Sequence, residues 1–172
     1  MRSVGSILVL GGTRSGKSSF AESLLAESEK PEYLATLRVD PADVDALNRV
    51  ASHRDRRGDR FVTREIAAPA DLLSYLRNTD QPFLLDSIGN FVASSLFDNV
   101  DLDSELVKEL SNKGQTFVVV SEEVGLSLHP ESKIGRDFVD RMGAINQRLA
   151  QALDDVYFVH AGIPVLLRGR DG

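Results

Sequence analysis

The sequence contains no cysteine, which removes disulfides, thiolate zinc sites and cysteine nucleophiles together. It has no apolar run near the roughly 20 residues that cross a bilayer, so no membrane span is expected. It also lacks a basic excess: 20 Lys and Arg stand against 26 Asp and Glu, a formal charge of −6. A general nucleic-acid binder carries a basic footprint, and that class is set aside; a local cluster of Arg and Lys can still serve one triphosphate inside an acidic chain. No signal peptide is expected either. Met1-Arg2-Ser3-Val4-Gly5 runs at once into a short strand, and cytoplasm is the expected compartment. No internal repeat, low-complexity tract or linker breaks the 172 residues, a length that suits one domain over 1–172.

What is present is an alternation of short apolar runs and amphipathic stretches. Ser6 to Leu10 is a continuous apolar run, the pattern of a strand buried on both faces of a parallel sheet. Further strands are expected at Tyr33–Thr36, Arg60–Arg64, Phe83–Asp86, Thr116–Ser121 and Val156–Val159. Helices are expected from Lys17 to about Glu29, after the N-cap Asp40 and Pro41 with Val44, Leu47, Val50 and Ala51 on one face, and at Ala70–Arg77 after Pro69. Three more are expected at Phe91–Phe97, Leu102–Leu110 and Gly135–Leu153. Gly162-Ile163-Pro164 then turns into a last strand, Val165–Leu167, the gap being short enough for an antiparallel hairpin at a sheet edge. The fold class is therefore α/β, a mostly parallel sheet with helices on both faces.

One segment carries specific chemistry. Gly11-Gly12-Thr13-Arg14-Ser15-Gly16-Lys17-Ser18 meets the pattern G-x-x-x-x-G-K-[ST] between a buried strand and a helix, the context this phosphate-binding loop requires. Glycines let backbone N–H groups curl around phosphate oxygens, and the helix N-terminus adds partial positive charge. Lys17 is placed to reach the β and γ oxygens and Ser18 to ligate Mg²⁺. GTP or ATP is the expected ligand. A carboxylate on a neighbouring strand is wanted to organise the metal; Asp86 closes such a strand, with Glu122 and Glu123 as competing candidates.

A second constellation surrounds His53. Arg49, His53 and Arg57 fall at i, i+4 and i+8 and line one face of a helix, although Gly58 is placed to end it. Nearby cations disfavour protonation of the imidazole. A neutral imidazole attacks phosphorus, and flanking guanidiniums hold a triphosphate and absorb transition-state charge. A solvated basic face with an incidental histidine is the other reading of the same spacing. His129, before Pro130, reads as a surface residue, and His160 at a strand end as structural.

These segments together resemble the bifunctional adenosylcobinamide kinase/adenosylcobinamide-phosphate guanylyltransferase family. Leu10 to Ser18 is similar to its G-G-x-R-S-G-K-S, and Tyr33-Leu34-Ala35-Thr36 to its Y-[IL]-A-T strand. Arg49-Val50-x-x-His53-x-x-x-Arg57 is similar to its R-[IV]-x-x-H-x-x-x-R. Ser121 to Gly125, the run Arg136-x-Phe138-x-Asp140-x-x-Gly143-x-x-Asn146-Gln147, and Gly162-x-Pro164 extend the match over nearly the whole chain. The resemblance implies a RecA-like P-loop domain that phosphorylates the aminopropanol hydroxyl of adenosylcobinamide. It then transfers GMP from GTP to that phosphate through a GMP–histidine intermediate, with His53 at the matching position. It also implies nucleotide contacts at Thr36, Leu37 and Arg38, at Arg54, Asp55, Arg56 and Arg57, at Glu65 and at Asp86, and assembly as a homotrimer. Two residues depart from the pattern: Glu122 stands where the family usually has Asn, and His129 replaces an apolar residue. From the residues alone, a plain P-loop small-molecule kinase and a nucleotide-responsive binding module remain open.

Overall fold

The structure, a computed structural model, describes residues 5–38, 51, 54, 58–126 and 130–169. Seven strands form one sheet: β1 (Ser6–Gly11), β2 (Glu32–Ala35), β3 (Val62–Glu65), β4 (Phe83–Asp86), β5 (Phe117–Glu122), β6 (Asp155–His160) and β7 (Ile163–Arg168). Their spatial order is β3-β2-β4-β5-β1-β6-β7. Every neighbouring pair is parallel except β6 and β7, which form an antiparallel hairpin. A parallel sheet collects the carboxyl ends of its strands along one edge, and loops leaving that edge can converge on a ligand.

The central strands are apolar on both sides because both faces are covered. Leu8, Leu10, Phe83, Leu85, Phe117 and Val119 join one core cluster. Most of that cluster's other residues come from α2 (Pro69–Asn78), α3 (Ile88–Phe97), α4 (Asp103–Ser111) and α5 (Lys133–Ala152). The alternate residues Ile7, Val9, Leu84, Val118 and Val120 point to the opposite face. There they meet Ala21 and Leu25, at and just after α1 (Lys17–Leu24), together with Tyr33 and Phe61. The period of two along each strand thus decides which helix each residue meets.

Most departures from the expected boundaries have local causes. Helix α1 stops at Leu24, short of Glu29, because Glu27-Ser28-Glu29-Lys30 offers no apolar stripe to bury and Lys30 takes a positive φ of 45°. Helix α3 starts at Ile88 because Ser87 caps it, its hydroxyl accepting from Asn90 N, a device that outranks the apolar pattern beginning at Phe91. Residues 58–60 form one 3-10 turn, so β3 begins at Val62. Pro164 lies within β7, not in the turn, an edge position that a residue without an N–H tolerates. The expected helix over Val44, Leu47 and Val50 lies outside the described residues; Ala51 and Arg54 are helical.

Candidate active site

The loop between β1 and α1 is built around backbone. Gly16 takes φ 93°, a left-handed conformation natural to glycine, and N-caps α1. A side chain there would also stand 3.2 Å from Gly162 Cα. Gly162, in the β6–β7 turn, donates its N–H to the Ser15 carbonyl at 2.8 Å, so the hairpin supports the loop from below. Thr13 and Arg14 are exposed, Ser18 is half-buried, and Lys17 is buried with its Nζ donating to the Gly12 carbonyl at 3.2 Å. A buried ammonium satisfied by one carbonyl retains donors for another acceptor. The Ser15 hydroxyl is fully buried with no hydrogen-bond partner among the described residues. A loop with a folded-back lysine and an orphaned hydroxyl fits a polyanion that would complete both. Ser18, in the first turn of the helix, stands where the hydroxyl of a phosphate-binding loop would ligate Mg²⁺.

Two carboxylates end the strands beside this loop. Asp86 closes β4, and its Oδ2 accepts from the Tyr33 hydroxyl at 2.5 Å. Glu122 closes β5 directly opposite Gly11, the residue where the loop leaves β1. Its Oε2 accepts from Gly89 N at 2.9 Å. Burial pushes the Glu122 carboxyl above its ordinary value and the charge of Asp86 adds to this; the Ser87 hydroxyl and Lys17 oppose it incompletely. A Cβ on Gly89 would collide with that same Oε2, so position 89 has no room for a side chain while Glu122 occupies the space. Glu123, the third candidate, follows β5 and accepts from Gly125 N in its own loop.

The backbone of this strand end is fixed from α5. Asn146 accepts from the Ser121 hydroxyl at 2.5 Å and donates to the Glu122 carbonyl at 3.0 Å. The Asn146 motif thus acts as a strut, holding β5 at the register that sets Glu122 beside the loop.

The remaining sequence-derived residues follow the carboxyl edge away from β1. Thr36 is buried, its hydroxyl donating to the Ser87 carbonyl and accepting from Ser87 N, both at 2.8 Å. It ties β2 to β4, and its hydroxyl proton is already committed. Leu37 is exposed. Arg38 pairs with Asp98 at 3.0 Å and lies 5.3 Å over the Phe97 ring, held on the α3 side of the edge. Arg54 and Glu65, at the end of β3, form an ion pair at 3.0 Å, so two residues implied separately meet. His53, Asp55, Arg56, Arg57 and His129 lie outside the described residues. His160 is exposed and stacks against Phe158. Ser87 and Gly89 are not reached from the sequence; a serine and a glycine straight after a strand-end aspartate are the only signal.

Residues 7–167 match the family described as cobinamide kinase / cobinamide phosphate guanyltransferase. The bifunctional adenosylcobalamin biosynthesis protein CobU of Escherichia coli K12 is 32% identical, covering 94% of this chain and 99% of its own. CobU of Salmonella typhimurium is 33% identical over 94% and 99%. The corresponding CobP of Pseudomonas aeruginosa is 34% identical over 94% and 96%. Among solved structures, an ATPase domain superposes with a TM-score of 0.56 at 11% identity, covering 100% of this chain and 79% of that one. The flagellar accessory protein FlaH of Methanocaldococcus jannaschii gives 0.52 at 12%, covering 98% and 80%. At such identities the likeness speaks for the fold alone, which is that of a RecA-like P-loop NTPase.

Proposed function

The chain belongs to the cobinamide kinase / cobinamide phosphate guanyltransferase family, and from that premise we propose how its residues divide the two reactions. As a member it is a bifunctional transferase of adenosylcobalamin biosynthesis, with a nucleoside triphosphate and a corrinoid as substrates. In the kinase half-reaction the aminopropanol hydroxyl of adenosylcobinamide attacks the γ-phosphorus of ATP or GTP. In the second, the neutral imidazole of His53 attacks the α-phosphorus of GTP and expels pyrophosphate; adenosylcobinamide phosphate then takes GMP from the histidine.

The observation that carries this division is the grouping at the sheet's carboxyl edge. The Gly11–Ser18 loop, with Lys17 folded into it, stands at one end and the Arg54–Glu65 pair at the other, beside the position of His53 in sequence. Lys17 and the loop amides would neutralise the leaving phosphates in either reaction. Ser18 would hold Mg²⁺, which supplies further charge neutralisation there, and Asp86 is the strand-end carboxylate suited to order its surroundings. Arg54 with Glu65, and Arg38 with Leu37, are assigned to the nucleoside end of GTP; Thr36, whose hydroxyl is already engaged, is assigned to positioning.

Assembly as a homotrimer is part of the same reading. In β7, Ile163, Val165, Leu166 and Leu167 are 65%, 48%, 52% and 59% exposed. An edge strand apolar on both faces is what a monomer avoids and what a subunit contact uses. Cytoplasmic residence fits substrates of this kind; no helix among the described residues is long and apolar enough to cross a membrane.

Incubation with adenosylcobinamide and both nucleotides tests the function. Mass spectrometry is expected to find the phosphate first and the GDP-linked corrinoid afterwards. Accumulation of the phosphate alone would reduce the chain to a kinase, and nucleotide binding without corrinoid turnover would leave only a binding module.

A further inference from the structure

Glu122, the rival of Asp86 as the strand-end carboxylate beside the loop, is largely desolvated, and such a carboxylate is a liability to a fold. It lies on the strand next to the phosphate loop, in register with Gly11. The groups facing it are Lys17 from α1, Asp86 from β4, and Ser87 and Gly89 at the start of α3. The Gly89 N–H fixes one carboxylate oxygen, and the bare glycine leaves the carboxylate room.

The two reactions of this site differ in one proton. An alcohol must lose its proton on attacking phosphorus, whereas a corrinoid phosphate attacks with an oxygen already ionised. We infer that Glu122 accepts the proton of the substrate hydroxyl in the kinase half-reaction. As the hydroxyl oxygen bonds to the γ-phosphorus, the bond from that phosphorus to the β,γ-bridging oxygen breaks. Its electron pair leaves with the nucleoside diphosphate, and the proton passes to the Glu122 carboxylate and then to water. Lys17, placed for the same β and γ oxygens, holds the phosphoryl group next to this acceptor. Burial of Glu122 moves its proton affinity upward, in the direction that improves a base working near neutral pH. Guanylyl transfer has no use for the group.

The inference rests on the kinase activity proposed above, and its test separates the two. Glu122→Gln and Glu122→Asn are assayed beside the unsubstituted chain, with adenosylcobinamide and ATP or GTP for the kinase, and with adenosylcobinamide phosphate and GTP for guanylyl transfer. The ratio of kinase to transferase rate is expected to fall about 100-fold in both variants, the low end of general-base effects, and the acid limb of the kinase pH profile to vanish. Equal loss of both activities would make Glu122 structural and overturn the inference. So would an unchanged kinase rate and acid limb. Failure of the bifunctional reading is seen separately, as no corrinoid turnover by the unsubstituted chain, and it takes this inference with it.

Discussion

Glu122 and Gly89 act as one unit, since the space a side chain at 89 would fill is taken by the Glu122 carboxylate. The fold bears a penalty for that arrangement, and its sign can be worked out. A carboxyl whose folded pKa is raised contributes stability below its unfolded value, which is lost as pH rises through the folded value. Glu122→Gln is therefore expected to raise the Tm at pH 8 and to change it little below about pH 4, under the unfolded value of roughly 4.3. Thermal melts at the two pH values check this; destabilisation at pH 8 would contradict the burial argument. Arg54 and Glu65 are the opposite case. Their side chains are 60% and 64% exposed, and such pairs contribute at most about 1 kcal/mol. Arg54→Ala is expected to leave the Tm nearly unchanged while raising the KM for GTP several-fold in guanylyl transfer. A normal KM would remove Arg54 from the nucleotide.

At the level of elements, the strands were the most legible part of the sequence. Ser6–Leu10 and Phe83–Asp86 are apolar runs too short for helices, and the glycine loop after the first fixed where a strand had to end. The hairpin at β6–β7 was legible from a short gap, although its turn is the two residues Ala161 and Gly162 and not Gly162 to Pro164. Two helix starts were not, because Ser87 and Ser132 set them through capping hydrogen bonds that lie outside the apolar period. At the site, the loop was readable because its chemistry demands fixed spacing, and the place of Asp86 because it closes an apolar run. The Glu122–Gly89 contact spans 33 residues and obeys no local pattern, so only the folded sheet reveals it. The same holds for α5, where Asn146 reads as part of a motif but works as a strut to β5. Asn146→Ala leaves the Ser121 hydroxyl and the Glu122 carbonyl without their partner, and a loss of about 2 kcal/mol is expected in denaturant unfolding. Because Glu122 would then lose its placement, kinase activity is expected to fall more than guanylyl transfer.

The whole molecule adds two constraints. An edge strand with apolar residues on both faces needs a neighbour, and Leu166→Glu is expected to convert trimers to monomers by light scattering; a monomeric unsubstituted chain would contradict the assignment of β7. The second constraint is distance. With strands about 4.8 Å apart, β3 lies roughly 19 Å from β1 across the intervening β2, β4 and β5. Guanylyl chemistry therefore asks that GTP run along the carboxyl edge, or that the segment bearing His53 approach the loop. Either way, the central claim is that a histidine in this segment receives GMP. The most direct measurement is to incubate the protein with GTP labelled in the α-phosphate and map the adduct. The account predicts an acid-labile, base-stable GMP on His53, absent from His53→Ala, which still phosphorylates adenosylcobinamide. Label that persists in His53→Ala, or guanylyl transfer that continues without it, would contradict the account.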